Sequence, residues 1–198
     1  MSWLAARRAR RFGTRGLKLH LGCGSVRLDG WVNIDLAARA RELPTPPDLN
    51  LDVRQALPFP GGSARLIYHE HLMEHLTIEE GTRCLRDWLR VLEPGGVLRV
   101  ATPDLEFLVE RYGAAWRDQA WLAQPEYAFI QTRAEMMNVA FRWWDHRYLY
   151  DGEELGRRMR EAGFGSVRRC AFRESAVPEL AGLEMRADSK LILEGVRP

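Results

Sequence analysis

Lysine is almost absent from this 198-residue chain: Lys18 and Lys190 are the only two among 29 basic residues, the rest being arginine. That skew is compositional and points to no function, whereas the placement of the charge does. Arg7, Arg8, Arg10, Arg11, Arg15 and Lys18 put six positive charges and no acid into the first 18 residues. Against a net charge of +2, the remainder therefore carries −4. A body without basic excess is a poor nucleic-acid binder, so nucleic acid is not an expected partner. Cysteine is scarce as well. Cys23, Cys84 and Cys170 form no C-x-x-C pair and are odd in number, which argues against a disulfide framework and fits a reducing compartment. No apolar run approaches the ~18 residues that a membrane span needs. The start, M-S-W-L-A-A, lacks the apolar centre of a secretory signal. The expected location is the cytoplasm, with residues 1–16 as a solvated basic arm and 17–198 as one folded domain. Internal repeats and low-complexity segments are lacking.

What is present begins at residues 19–35, L-H-L-G-C-G-S-V-R-L-D-G-W-V-N-I-D. An apolar strand (Leu17, Leu19, Leu21) runs into a Gly-Cys-Gly turn, and a second (Trp31, Val32, Ile34) ends on Asp35. A glycine turn lets a ligand reach the backbone, because no Cβ blocks it. A carboxylate at the tip of the next strand can accept hydrogen bonds from a ribose diol. The combination suggests a pocket for a nucleoside-bearing cofactor.

Strand-like and helix-like patterns then alternate for about the first hundred residues, the signature of βαβ units around a parallel sheet. Residues 48–52, D-L-N-L-D, read as a short strand ending on Asp52, and 65–68 as a fourth strand. Thr77 opens a helix with Glu80 completing a T-x-x-E capping box. Leu85, Trp88, Leu89 and Leu92 recur at helical spacing and are expected to face the sheet. Pro94-Gly95-Gly96 is read as ending that helix, with a fifth strand over 97–101. From 112 to 150 the pattern changes to a helical insert rich in aromatics, holding Trp116, Trp121, Trp143 and Trp144. This insert reads as a cap. A helix over 153–162 stopped by Gly163, and strands over 167–172 and 190–194, complete the chain.

Leu-Gly-Cys-Gly at 21–24, Asp35, Asp52 before Leu57-Pro58-Phe59, H-L-M-E-H at 71–75 and R-V-L-E-P-G-G at 90–96 occur in order. In that order and spacing they resemble the class I S-adenosylmethionine-dependent methyltransferases, especially the small bacterial type 11 group, over about residues 17–104. The segments H-R-Y-L-Y-D at 146–151 and E-A-G-F at 161–164 are similar to that group's tail. The resemblance implies an α/β, Rossmann-like fold: a mostly parallel seven-stranded sheet, an antiparallel strand near the C-terminus and the inserted helical cap. It implies S-adenosylmethionine as cofactor. Gly22, Cys23 and Gly24 would lie under its methionine part, Asp35 would take the ribose hydroxyls, Asp52 with Val53 would border the adenine, and His69 and Glu70 would face the methyl group. Three departures stand out. His20 replaces the family's usual acid, Val26 stands where a third glycine is frequent, and only 13 positions separate Gly22 from Asp35, so the helix after the first strand is expected to be stunted or replaced by a loop.

Rival readings are weighed on the same residues. A dinucleotide fingerprint needs glycine at position 27, where Arg27 stands. His71-x-x-Glu74-His75 spells the H-x-x-E-H of inverted zinc peptidases, and two histidines on one helical face would suit a metal-dependent hydrolase. The same residues fall where the methyltransferase pattern has them, so no metal is expected. A fold that binds the cofactor without catalysis is the third rival. For an oxygen or nitrogen acceptor a base is needed; the candidates are His146, Glu70, His71 and Asp104, with His146 preferred. The expected partner is a small-molecule acceptor, a sugar or other metabolite hydroxyl by analogy, and a homodimer is left open.

Overall fold

A computed structural model describes residues 7–36 and 45–198. The expectations for residues 1–6 of the arm and for Pro44 lie outside that range. Within the arm, Arg10–Phe12 form a 3-10 turn, and the preceding Ala9 is buried in the main core. Ala9 alone is docked there, and the arginines around it are exposed.

Seven strands form one sheet: β1 (Leu17–Leu21), β2 (Val32–Asp35), β3 (Leu49–Asn50), β4 (Ala64–Glu70), β5 (Leu92–Thr102), β6 (Ser166–Arg169) and β7 (Leu191–Val196). Their spatial order is β3-β2-β1-β4-β5-β7-β6. The first five strands pair in parallel, and β7 runs antiparallel to both β5 and β6. The fold is therefore the α/β sheet expected, with its antiparallel strand near the C-terminus. The chain works outward from β1 to β3 and then returns to β4 on the other side of β1. At such a switch point the loops leaving the carboxyl ends of neighbouring strands diverge and open a crevice.

Helix α1 (Ile78–Val91) connects β4 to β5. Its start is set locally: the Thr77 side chain accepts from Glu80 N at 3.2 Å, and Glu80 accepts from Thr77 N at 2.9 Å. Cys84, Leu85, Trp88 and Val91 fall on one face and are buried. Each large apolar side chain so buried stabilises by about 1.5–3 kcal/mol. The fifth strand begins earlier than the sequence suggests: Leu92 is already extended, and Pro94 to Gly96 lie inside β5. Proline and glycine there stop the helix without delaying the strand. α4 (Gly152–Ala162) packs beside α1 and ends at Gly163, whose φ of 111° only glycine adopts without strain.

Side chains alternate across the sheet with period two. Ile67, Leu98 and Val100 join the core under α1 and α4, together with Leu155 and Met159. Leu66, Tyr68, Val97 and Ala101 face the other way and are covered by loop residues, chiefly Trp31 and Leu180. No helix stands between β1 and β2, so the expected loop is what is found. Arg27 holds it together by donating to Gly24 O at 2.8 Å and Val26 O at 2.9 Å. Buried Asn33 fastens its far end, accepting from Leu28 N at 3.0 Å and donating to Trp31 O at 3.2 Å.

The cap spans α2 (Leu105–Gly113), two 3-10 turns, α3 (Arg133–Asn138) and a π-helical turn at Val139–Trp143. It has its own apolar cluster around Leu108, Ile130, Met136 and Leu149.

Candidate active site

A cleft of about 1500 Å³ opens at the carboxyl ends of β1, β2 and β4 and is roofed by the cap. Its floor at one end is the Gly22–Gly24 turn. Gly22 and Gly24 have φ of 61° and 53°, and a Cβ on Gly24 would project into open space. The bare backbone therefore faces the cleft, as a cradle for a ligand requires. Cys23 N donates to Ile34 O at 3.1 Å and ties the turn to β2. Burial pushes the Cys23 thiol up to about 11, so it is a packing group and not a nucleophile.

Asp35 is buried at the tip of β2. One carboxylate oxygen accepts from Gly24 N at 2.6 Å and the other from Leu36 N at 2.6 Å. Each oxygen keeps a further lone pair, and the residue lines the cleft, so a diol can still be received. Asp52 also lines it and is held bidentately by Arg54 at 2.8 Å through each oxygen. That pairing keeps its carboxyl below the usual range. Val53 borders the same end while packing into the core. His20, in the family's acidic position, is neutral: burial lowers its pKa to about 4, and its Nδ1 lies 3.1 Å from Asn33 Oδ1.

His69 does not reach the cleft. Consecutive strand residues point to opposite faces, so His69 and Glu70 cannot both face one ligand. His69 lies fully buried against Trp88, ring centres 4.9 Å apart, and burial drives its pKa down to about 3. Glu70 takes the cleft side together with Tyr68, whose buried hydroxyl has no partner. Tyr68 was missed from the sequence, although the period-two pattern through Glu70 picks it out. Glu70 also anchors a loop over the cleft, accepting from Met185 N, Arg186 N and the Ser189 hydroxyl at 3.0, 3.0 and 2.7 Å.

Asp104 lines the cleft, but its carboxylate is already committed. It caps α2 by accepting from Glu106 N at 3.0 Å and is ion-paired with Arg169. The structure thus gives it a structural task in place of the base role.

Four ionisable groups converge beneath the cap: His71, Glu74, His75 and His146. His71 follows β4 with φ 52°, a strained value for a side-chain-bearing residue. Its Nδ1 lies 2.9 Å from Glu74 Oε1 and its Nε2 3.6 Å from Asp188. Burial pushes the imidazole down, but the Glu74 carboxylate outweighs it and the pKa is raised. Glu74 is fully buried, yet pairing with His71 holds its carboxyl well below the usual range against the burial. His146 is delivered by the cap, with Nδ1 2.7 Å from Ala140 O and Nε2 4.0 Å from Glu74. The H-x-x-E-H segment is not a helix: Met73–His75 form a single 3-10 turn. His71 and His75 therefore lack the shared helical face that the hydrolase reading needs.

The aromatic insert serves both core and cleft. Trp121, Tyr127 and Trp144 stack edge to face at 5.2–5.7 Å and line the cleft, whereas Phe129 and Trp143 face solvent.

Residues 19–100 match the family model described as a methyltransferase domain. The chain therefore carries a methyltransferase domain. No curated protein matches the sequence. Among solved structures, this methyltransferase resembles one described as a possible histamine N-methyltransferase from Thermotoga maritima (16% identity, TM-score 0.53, 100% of this chain and 90% of that one). It also resembles an O-methyltransferase family protein from Burkholderia thailandensis (14%, 0.54, 94% and 52%) and PigF with SAH (14%, 0.53, 94% and 52%). The chain thus spans about half the length of the latter two. Identity this low establishes the shared fold alone. The Gly22–Gly24 cradle and the free lone pairs of Asp35 suit a ligand that carries a diol and lies close to the backbone.

Proposed function

We propose that this methyltransferase acts on a hydroxyl group of a small molecule, a sugar or comparable metabolite, with His71 as the base. The observation that carries the reading is the His71–Glu74 pair at the end of β4, 2.9 Å apart, with the His71 Nε2 lacking a hydrogen-bond partner. When bound, S-adenosylmethionine supplies a methyl group already activated on sulfur. Gly22, Cys23 and Gly24 hold its methionine part, Asp35 takes the ribose hydroxyls, and Asp52 with Val53 borders the adenine. Glu70 fixes the 185–189 loop that closes the methyl end. His71 Nε2 takes the acceptor's proton, while Glu74 keeps the ring oriented and balances the charge that develops, the general logic of a base steadied by a third group. The rings of Trp121, Tyr127 and Trp144 offer flat apolar faces to the acceptor and exclude water. A body without basic excess supports a small acceptor over nucleic acid.

Calorimetric titration with S-adenosylhomocysteine tests the cofactor end. At 100 times its dissociation constant the ligand should stabilise the wild type by about 2.7 kcal/mol. Asp35→Ala removes charge-assisted hydrogen bonds of roughly 1.5–3 kcal/mol, so affinity should fall about ten- to a hundredfold. Unchanged affinity would confine Asp35 to shaping the Gly24 turn. For the acceptor end, release of S-adenosylhomocysteine is measured across hydroxyl- and amine-bearing small molecules. Turnover on amines alone would overturn the hydroxyl assignment.

A further inference from the structure

Glu74, His75 and His146 place one ligand atom each within 4.8 Å of one another, the one such group of three found among the described residues. We propose that these three side chains hold a divalent transition-metal ion of the zinc type at the acceptor end of the cleft, with a coordination position open to the substrate. Two imidazoles and one carboxylate form a donor set that suits zinc and its neighbours and disfavours magnesium or calcium.

The surroundings are those of a ligand set. His146 Nδ1 sits 2.7 Å from Ala140 O, which fixes the ring proton there and turns the Nε2 lone pair toward Glu74. A metal-bound histidine is normally held in this way through its other nitrogen. The carbonyl of Ala140 comes from the π-helical turn Val139–Trp143, a deformation frequently found at functional sites. The 4.0 Å between His146 Nε2 and Glu74 Oε1 is too long for a hydrogen bond. With Nδ1 directed at the Ala140 carbonyl, the Nε2 lone pair is left available to a cation shared with Glu74. In a tetrahedral zinc site neighbouring ligands stand about 3.3 Å apart, so binding would draw the group in by roughly 1 Å.

Glu74 is the fixed member. It is fully buried, and its Oε2 accepts from the Thr102 hydroxyl at 2.9 Å. Its Oε1 is paired with His71 Nδ1 at 2.9 Å and keeps a second lone pair for an ion. The Glu74 carbonyl accepts from Arg147 N at 2.7 Å and Tyr148 N at 3.2 Å, which ties the backbone just after His146 to the residue before His75. The three ligands are thus brought together by short backbone links. His75 and His146 line the cleft while Glu74 lies beneath it. An ion held there would present its free position to the acceptor. That assignment of the free position to the acceptor rests on the proposed function; the ion site itself does not.

The test is titration of the chelator-treated full chain with zinc alone, followed by cobalt as a spectroscopic probe. The expected result is one ion per chain and, with cobalt, visible bands of a site with mixed nitrogen and oxygen ligands. His146→Gln and Glu74→Gln should each weaken zinc binding at least ~100-fold, and His75→Asn, at a half-buried position, is the variant least apt to disturb folding. Binding of S-adenosylhomocysteine is measured on each variant as the control for folding. Absence of zinc binding in the wild type overturns the proposal. Equal zinc affinity in wild type and His75→Asn overturns it as well. If zinc binds but no hydroxyl acceptor is turned over, the functional reading fails while the ion site stands.

Discussion

Exchanging Arg99 for methionine is expected to cost about 3–5 kcal/mol of stability, because it leaves buried Glu184 without its cation and Glu194 with the half-exposed Arg168 alone. Arg99 is fully buried in β5, 2.5 Å from Glu184 and 2.6 Å from Glu194, and donates to Glu174 O at 3.0 Å. For a domain whose total stability is of order 5–15 kcal/mol, that is a large share. It corresponds to a melting temperature lower by roughly 6–20 °C. Urea denaturation at neutral pH measures it directly. The difference should also narrow on acidification. Burial raises the Glu194 carboxyl, but Ser175, Arg168 and Arg99 outweigh it, so its folded pKa lies below 4.5. The wild type therefore holds this stabilisation above about pH 4.5 and loses it as the pH falls through the folded value. Arg99→Met lacks much of it at every pH. A difference that stays constant from pH 7 to pH 3 would show that Arg168 alone suffices for Glu194 and that Arg173 takes over Glu184. Loss of Arg99 should also loosen the cleft, because Glu184 adjoins the 185–189 loop that Glu70 anchors.

Replacing His71 by asparagine should lower kcat by about 10²–10⁴, the usual contribution of a positioned base. Asparagine tolerates the positive φ that His71 adopts, so the backbone after β4 can keep its course. Affinity for S-adenosylhomocysteine should change less than threefold, since His71 sits at the acceptor end. The checks are steady-state turnover at saturating cofactor and acceptor, and calorimetry with S-adenosylhomocysteine. A fall in kcat below tenfold would move the base role to another group. His146, preferred on the sequence, is less suited: its Nδ1 faces the Ala140 carbonyl, and its Nε2 faces Glu74 with no acid behind the ring to steady it.

Much of this site lies within short stretches of chain and is readable there. The Gly-Cys-Gly turn, the acid ending the next strand and the shortened link between them follow from neighbours in sequence. The same holds for the Thr77–Glu80 capping box, which is closed by local hydrogen bonds. Other features depend on the sheet. His69 and Glu70 are neighbours in sequence, but strand alternation sends His69 to Trp88 and leaves only Glu70 of the pair on the cleft side. Asp104 looked available because Arg169, its partner, lies 65 residues away. The cap was visible as an aromatic insert, but which rings line the cleft depends on how α2 and α3 fold back, leaving Trp144 inward and Trp143 in solvent.

The sequence by itself determined the class of fold and the glycine turn, because each rests on residues a few positions apart whose backbone and hydrogen-bond preferences are local. Tertiary structure alone decided the acceptor end. Glu74 and His75 meet His146 only because the cap folds over β4 and its backbone hydrogen-bonds to the Glu74 carbonyl. Contacts across some seventy residues are set by packing, which no local pattern records.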